Sequence, residues 1–354
     1  MLVNNLLPSY RKSEILRVIK IITAVLSLSI TVGCGGTKTQ GDSNPQNTEI
    51  AGREDTQLVL NNAVLEQSNS QGNLFWKIKS EQATYSDDQK NAYLTKITAN
   101  LISDGQLILQ VSAEKGEVRD NNNLILLQDK VVAVDPRSQV VLNSDRAEWR
   151  PQENILTITE NLRVNHNNLE VTANQAQYFS DQENLELTGK VVVNTVEPYL
   201  ILNTERLLWK IPQEKLIGNL PWQVVRYQDD IVTDRLVADR GVVDLKQKTV
   251  DLSQNIELIS LNPQLQIATN SAQWNYQNRL ITAKEPIQVV DRQRQLDVTG
   301  NQGQVNLLTE MVTLQGGVKG IDNRDRSTLH SRELIWDLTS NKVTAKGNVV
   351  YSEQ

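Results

Sequence analysis

The sequence predicts an all-β protein whose antiparallel sheet is folded over on itself and built from about nine hairpin repeats of roughly 31 residues. Three observations support this prediction: an anchor residue, often aromatic, recurs at a nearly constant interval; apolar and polar residues alternate around it; and a polar turn segment follows it. The anchors are Tyr85, Val118, Trp149, Tyr178, Trp209, Val243, Trp274, Val305 and Trp336.

The residues around each anchor define the repeat unit. An aliphatic residue stands seven positions before the anchor, and residues five and two positions before it are usually small, as Leu142, Ser144 and Ala147 are before Trp149. Alternation places one set of side chains on a single face of a strand, so each strand has an apolar and a polar face. Turn-favouring segments such as residues 150–154 then reverse the chain, which makes each unit a long hairpin.

The alternation slips by one residue between the fifth and second positions before the anchor, and this slip predicts a bend in the strands. Gly189, Asn255, Gly316 and Gly347 lie eleven or twelve positions after an anchor, where small residues let a strand fold sharply. Stacked bent strands would enclose one apolar groove. Because a repeat array needs contact only between neighbouring units, we expect residues 57–354 to form one elongated domain.

The N-terminal segment, residues 1–34, has the pattern of an export signal or a membrane anchor. An apolar run at residues 21–32 follows the basic residues Arg11, Lys12, Arg17 and Lys20, and it is short for a membrane span but typical of a signal peptide. The run ends in Thr31-Val-Gly-Cys34, which resembles a bacterial lipobox and makes Cys34 the candidate lipidation site. The alternative is an uncleaved anchor over residues 15–32. Both interpretations tether the repeats to a membrane, outside the cytoplasm, through a flexible polar linker at residues 35–56.

The two ends of the array are expected to be unprotected strand edges. Leu58 and Leu60 fall in the first predicted strand, and Val349 and Tyr351 fall in the last. Exposed edges attract partner strands, so both ends are candidate sites for pairing with another protein.

Neither the motifs nor the composition indicate an enzyme. His166 and His330 are the only histidines, and neither belongs to a metal-binding or catalytic-triad spacing. Residues 120–123 and 322–325 are rich in Asp and Asn but lack the calcium-loop pattern. We therefore expect no catalytic residue, no metal and no cofactor, and the net charge of -6 argues against a nucleic-acid partner.

Nine registered anchors in a membrane-tethered, extracytoplasmic array resemble the LptC proteins of lipopolysaccharide export and the related LptA (OstA-like) proteins. Ala147-Glu-Trp149, Ala176-Gln-Tyr178 and Ala272-Gln-Trp274 show the anchor motif. The resemblance covers residues 57–353 and implies an elongated open β-jellyroll at the periplasmic face of the inner membrane. It also implies an inner-membrane ABC transporter as one partner and a periplasmic LptA-like bridge protein, bound by edge-strand pairing, as the other. This chain is longer than is usual for LptC, and a lipobox-like cysteine replaces a plain transmembrane anchor.

The resemblance further implies that the groove shields the acyl chains of lipopolysaccharide as they cross the periplasm. Each methylene kept from water is worth about 0.8 kcal/mol, so several chains need a continuous apolar path. The anchor rings suit either this path or simple packing of the interior. The groove residues expected from the repeat are Leu142, Ala147, Trp149, Leu156, Ile158, Val171, Tyr178, Leu185, Leu187, Leu202 and Trp209. The alternative functions are an envelope scaffold that binds partners by its edges and a polysaccharide-degrading solenoid enzyme, for which the scattered charges offer little support.

Overall fold

The computed structural model describes residues 57–353 apart from 69–71, 104, 120–122, 262–263, 276 and 307, and Asp55–Gln354 forms one compact unit. The described residues form 26 strands and two short 3-10 turns, Pro151–Glu153 and Ile211–Gln213. In chain order, β1 to β26 are Val59–Ser68, Leu74–Tyr85, Ala92–Ser103, Gln106–Arg119, Leu124–Asp135, Val140–Arg150, Ile155–Thr159, Arg163–His166, Leu169–Thr172, Gln175–Phe179, Asn184–Thr195, Leu200–Lys210, Lys215–Gly218, Trp222–Gln228, Ile231–Ala238, Arg240–Asp244, Thr249–Leu261, Gln264–Asn275, Leu280–Ala283, Ile287–Asp291, Leu296–Gly300, Gln302–Asn306, Met311–Asp322, Thr328–Asp337, Lys342–Lys346 and Val350–Ser352.

All strand pairs in this sheet are antiparallel, and many of the short strands are halves of one bent strand. β6 pairs through one half with β7, where Trp149 lies opposite Leu156, and through the other half with β8, where Leu142 lies opposite Val164. β9 and β10 divide in the same way against β11, and β13 and β14 against β12. The sheet is therefore folded along a line that crosses the successive repeats.

Residue pairs in the left-handed backbone conformation make the fold line. In the unbroken strands such a pair opposes a single residue of the neighbour, which is a β-bulge: Gln128 pairs with Arg146, and the next pair is Val131 with Ser144. These positive-φ pairs lie eleven and twelve residues after an anchor, which confirms the predicted bend positions: Asp129 and Lys130, Glu160 and Asn161, Gly189 and Lys190, Gln254 and Asn255, Gly316 and Gly317, and Gly347 and Asn348.

A repeated backbone hydrogen bond fastens five of these six bends. The N–H four residues before an anchor donates to the carbonyl eleven residues after it, as from Asp145 to Glu160 (2.9 Å) and from Arg332 to Gly347 (2.8 Å). Equivalent bonds run from Asn174 to Gly189, from Asp239 to Gln254 and from Asn301 to Gly316. The bond supplies a partner for a carbonyl that the strand ladder leaves unpaired where the register slips.

Hydroxyl side chains satisfy a second carbonyl at the bend. Ser144 Oγ donates to the Arg146 carbonyl (3.2 Å), and Ser331 Oγ donates to the Glu333 carbonyl (3.0 Å). Both serines are buried and stand five residues before an anchor. These two hydroxyls give the carbonyls a donor that Ala or Gly at the same position would not supply.

The apolar faces of the bent strands meet inside the fold. Buried residues form one cluster that begins at Ala63 and a second that ends at Trp336. In β11, Leu185 and Leu187 are fully buried, and the intervening Glu186 forms an ion pair on the outer face. The all-β, folded-over architecture predicted from the repeat is confirmed, and it is an elongated β-jellyroll.

The expected signal or anchor at residues 1–34, with Cys34, and the expected linker at residues 35–56 lie outside the described residues. No helix within the described ranges is long and apolar enough to span a membrane. The domain boundaries drawn from the sequence stay a prediction.

Candidate functional site

The interior of the jellyroll is open around the repeats anchored at Val243 and Trp274. A cavity of about 660 Å³ lies there, within the size range of pockets that bind small molecules. A second cavity of about 260 Å³ adjoins it. The two share the lining residues Leu200, Val224, Arg226, Leu236, Leu252, Trp274 and Arg279 and so form one apolar trough. We call β12 to β20, residues 200–291, the open segment, and β1 to β11, residues 59–195, the closed segment.

Equivalent inward positions differ between the two segments. We compare three positions of the repeat: the anchor, the residue seven before it and the residue seven after it. In one repeat of the closed segment these residues are at most 1% exposed: Val171, Tyr178 and Leu185. Their counterparts in the open segment are partly exposed and line the larger cavity: Leu236, Val243 and Val250. The same repeat therefore packs solidly in one place and leaves a space in the other.

Side chains from across the groove cover several buried anchors. The turns that follow the anchors form one rim of the groove, the anchor rim, and the turns at the other ends of the strands form the opposite rim. Trp149 contacts Trp76 edge-on at 6.0 Å between ring centroids and Phe75 at 6.4 Å. Val243 and Trp274 face the cavity instead. What reaches across from the opposite rim therefore decides whether the groove is closed.

Arg137, in the opposite-rim turn between β5 and β6, closes the groove on one side of the trough. Its guanidinium bonds to Asp135 (2.9 Å), pairs with Glu183 on the anchor rim and donates to the Tyr178 hydroxyl (3.3 Å). Burial opposes the charge of Arg137, but the bonds to Asp135 and Glu183 outweigh it and raise its pKa. Burial, reinforced by the charge of Asp135, raises the pKa of Tyr178 to about 12, so the phenol stays protonated.

Arg294 repeats this arrangement on the other side of the trough. It bonds to the buried Asp291 (3.0 Å) and donates to Asn341 on the anchor rim. Its guanidinium lies over the Trp336 ring, with 5.8 Å from Cζ to the ring centroid, a cation–π distance. Arg137 with Asp135 and Glu183, and Arg294 with Asp291 and Asn341, are two arginine clasps with the open trough between them.

His166 lies at the boundary between the closed and open segments. Its ring meets the Trp209 ring edge-on at 5.2 Å, and it lines the larger cavity. Burial lowers the pKa of His166, against the opposing negative charge of Glu214. At neutral pH the imidazole is therefore uncharged, which suits its contact with an apolar interior.

Trp222 lies between two glycines and lines the trough. A Cβ at Gly218 would lie 2.0 Å from Trp222 Nε1, and a Cβ at Gly241 would lie 2.4 Å from Trp222 Cζ3. The two glycines are paired across β13 and β16. Because glycine has no side chain, the Trp222 ring can lie close against the sheet at these two positions. The ring therefore lines the cavity without filling it.

The eleven groove residues predicted from the sequence all belong to the inward face, in two environments. Leu202 is partly exposed and lines the larger cavity. The other ten are buried in the core: Leu142, Ala147, Trp149, Leu156, Ile158, Val171, Tyr178, Leu185, Leu187 and Trp209. Contact of any of them with lipid stays a prediction.

The groove set predicted from the sequence left out residues that line the trough, which include Trp222, Leu236, Val250, Trp274 and Arg279. Two signals were available. The anchor at position 243 is Val rather than an aromatic residue, and Gly occupies both positions next to the Trp222 ring. Neither signal identifies a cavity without knowledge of the cross-groove contacts.

Two of the predicted edge residues, Leu60 and Tyr351, lie in β1 and β26, and Leu58 and Val349 directly precede these strands. Leu58 and Leu60, at the start of the described chain, and Val349 and Tyr351, near its end, are all exposed. Among the described strands, β1 pairs with β2, and β25 and β26 pair with β24. Pairing of these edges with another protein stays a prediction. Across the described ranges, no group of three or more His, Cys, Asp or Glu side chains is placed to hold a metal ion.

The fold and the trough define a class of protein, an elongated β-jellyroll with an apolar interior that is open along part of its length. A family model described as "Lipopolysaccharide-assembly, LptC-related" matches residues 24–154 and 223–350, well over half of the sequence, and the chain belongs to the LptC family. At the level of the family, this membership supports a role in lipopolysaccharide transport and a place in the cell envelope, and the family is not one of enzymes.

Comparison with other proteins adds little to the family assignment. No curated protein matches the chain. Among solved structures, apo AztD from Citrobacter koseri is similar over 73% of this chain and 94% of that chain, at 11% sequence identity. The TM-score of that comparison is 0.12, so the likeness carries no argument.

Proposed function

We propose that this chain is tethered at the periplasmic face of the inner membrane and passes lipopolysaccharide from an inner-membrane ABC transporter towards the outer membrane. The observation that carries the proposal is the apolar trough in a chain of the LptC family. Each acyl methylene removed from water is worth about 0.8 kcal/mol, so a trough of this kind holds acyl chains at low cost. The chain itself supplies no energy, and the direction of transfer comes from the transporter.

The acyl chains first occupy the open segment in this proposal. Its lining includes Leu216, Leu236, Val250 and Leu252, with Leu202 from the predicted set. The ten buried groove residues continue the same inward face towards β1. Nine of the ten lie in the closed segment, and lipid would meet these when that segment widens. This widening is what distinguishes a passage from a single storage site.

The partners follow from the edges and the N-terminal segment. Residues 1–34 would provide the membrane tether, through lipidation of Cys34 or as an anchor, and residues 35–56 the linker to the jellyroll of residues 57–354. The exposed edges β1 and β25–β26 would each pair with a partner strand, one of them from a periplasmic LptA-like bridge protein. Paired edges would extend the groove into the neighbouring protein.

Site-specific photocrosslinking in cells that make lipopolysaccharide tests the proposal. A photoreactive residue at Leu202 or Leu236, which line the trough, should give lipopolysaccharide adducts. The matched control is Arg235, which is adjacent in sequence but exposed, and it should give none. An equal yield at Leu236 and Arg235, or no lipid adduct at either trough site, would contradict the proposal.

A second candidate function is an envelope scaffold that pairs with partners by its edges and transfers no lipid. The filled interior of the closed segment favours it, because side chains there occupy the space that a passage would need. The same experiment separates the two functions. A scaffold gives protein adducts from Tyr351 in the last strand and no lipid adducts from Leu187 or Leu236.

A further inference from the structure

The turns of the anchor rim each place one side chain at an equivalent point. The fifth residue after the anchor has positive φ in seven successive turns: Asn154, Glu183, Glu214, Lys248, Arg279, Glu310 and Asn341. Two of these side chains are the anchor-rim partners of the arginine clasps, Glu183 with Arg137 and Asn341 with Arg294. Side chains at this position therefore point towards the mouth of the groove. At the two clasps, where the groove is closed, they accept hydrogen bonds from an arginine.

Glu214 and Glu310 hold this position at the two ends of the trough, and the two turns between them carry the opposite charge. Lys248 and Arg279 both line the larger cavity, and Arg279 also lines the smaller one. Within the part of the chain that the structure describes, neither cation has an ion pair or a hydrogen bond. Arg279 is partly buried and Lys248 is exposed. Two adjacent turns thus present unpaired positive charges above an apolar space.

The acidic residues of the trough do not neutralise these two cations. Asp234 is engaged by Arg226 at 3.0 Å, and Glu310 accepts a hydrogen bond from Thr339 at 3.1 Å. Glu197 is exposed, and the negative charge of Glu214, in the neighbouring turn, raises the pKa of His166 against the effect of burial. In the described structure, none of the four forms an ion pair or a hydrogen bond with Lys248 or Arg279.

We infer that Lys248 and Arg279 bind the phosphate headgroup of an amphiphile whose acyl chains fill the trough. An amphiphile that buries its chains between the strands leaves its headgroup at the mouth, where these two side chains stand. A phosphate ester offers several charged acceptor oxygens, which suit a planar guanidinium and an ammonium together. The inference rests on the proposed function and adds to it the charge class of the ligand and the residues that recognise that charge.

Charge reversal at the two positions tests the inference in the full-length protein. Lys248→Glu and Arg279→Glu suit the backbone because Glu214 and Glu310 occupy the same turn position with positive φ. Lys246 is in the same turn as Lys248, is exposed and does not line the cavity. Lys246→Glu is therefore a control that makes the same change in net charge as either single variant. The probes are lipid A and dephosphorylated lipid A, which have the same acyl chains, and affinity is measured by displacement of a fluorescent lipid.

The expected result is a loss that depends on phosphate. The wild-type protein binds lipid A about tenfold more tightly than the dephosphorylated form, and the double charge-reversal variant loses about that factor for lipid A alone. Lys246→Glu keeps the wild-type affinities. Equal wild-type affinity for both lipids, or an equal loss of both in the double variant, overturns the headgroup site and leaves the proposed function standing. Failure of the wild-type protein to bind either lipid overturns both.

Discussion

The repeats anchored at Trp149 and at Trp274 are built on the same bent strands, yet their anchors lie in different surroundings. Trp149 is 5% exposed and packs against Trp76 and Phe75. Trp274 is partly exposed and faces the trough. The identical residue at an identical repeat position is therefore core in the closed segment and cavity wall in the open one.

This comparison separates what makes the fold from what makes the site. The bend hydrogen bond and the left-handed pairs occur in both segments, at Glu160 and Asn161 in one and at Gln254 and Asn255 in the other. The cross-groove contacts differ, since the arginine clasps lie on either side of the trough. The repeat sets the sheet, and the side chains of the opposite rim set whether its interior is filled.

The sharpest test of the comparison is truncation of the two tryptophans. Trp149→Ala should lower the free energy of unfolding by about 4 kcal/mol, because it leaves a cavity in a packed core. Trp274→Ala should cost about 1–2 kcal/mol, because its ring already borders open space. Chemical denaturation followed by far-ultraviolet circular dichroism measures both. Equal losses at the two positions would show that the interior is packed alike throughout.

Much of the fold was predictable from the sequence because it depends on local chemistry. Strand alternation, the turn after each anchor and the bends at Gly189, Asn255, Gly316 and Gly347 all follow from residues close together in the chain. These features needed no knowledge of which strand faces which. Their repetition supplied the evidence that a single unit lacks.

The position of the trough was not predictable in the same way. It depends on contacts between residues more than forty positions apart, such as Arg137 with Glu183 and Arg294 with Asn341. The repeat pattern gives each inward residue the same expected environment, so it placed the candidate groove at the central repeats. The structure places the apolar trough further along, around Val243 and Trp274.

A second comparison fills the interior instead of emptying it. Leu236→Trp and Val171→Trp are matched changes, because both residues stand seven positions before an anchor. Val171 is fully buried, so the larger ring should overpack the core and cost about 2–3 kcal/mol. Leu236 lines the trough, so the ring should enter the cavity, change stability by less than about 1 kcal/mol and block lipid.

Two measurements on this pair carry the result. Chemical denaturation reports stability, and displacement of a fluorescent lipid reports occupancy of the trough. Loss of lipid binding without loss of stability in Leu236→Trp supports the trough as the binding site. If Leu236→Trp binds lipid as well as the wild type does, the ligand lies elsewhere on the protein.

The smallest expected effect concerns His166, at the boundary between the two segments. Burial lowers its pKa below the ordinary value of 6.5, so the folded protein binds fewer protons here than the unfolded chain does. The resulting stability is present above pH 6.5 and is lost as the pH falls through the folded-state value. His166→Gln should therefore flatten the fall in unfolding temperature between neutral and mildly acidic pH. His330→Gln is the control and should keep the wild-type slope, because His166 is still present. An unchanged slope in His166→Gln would show that the His166 imidazole is not buried at the boundary between the two segments.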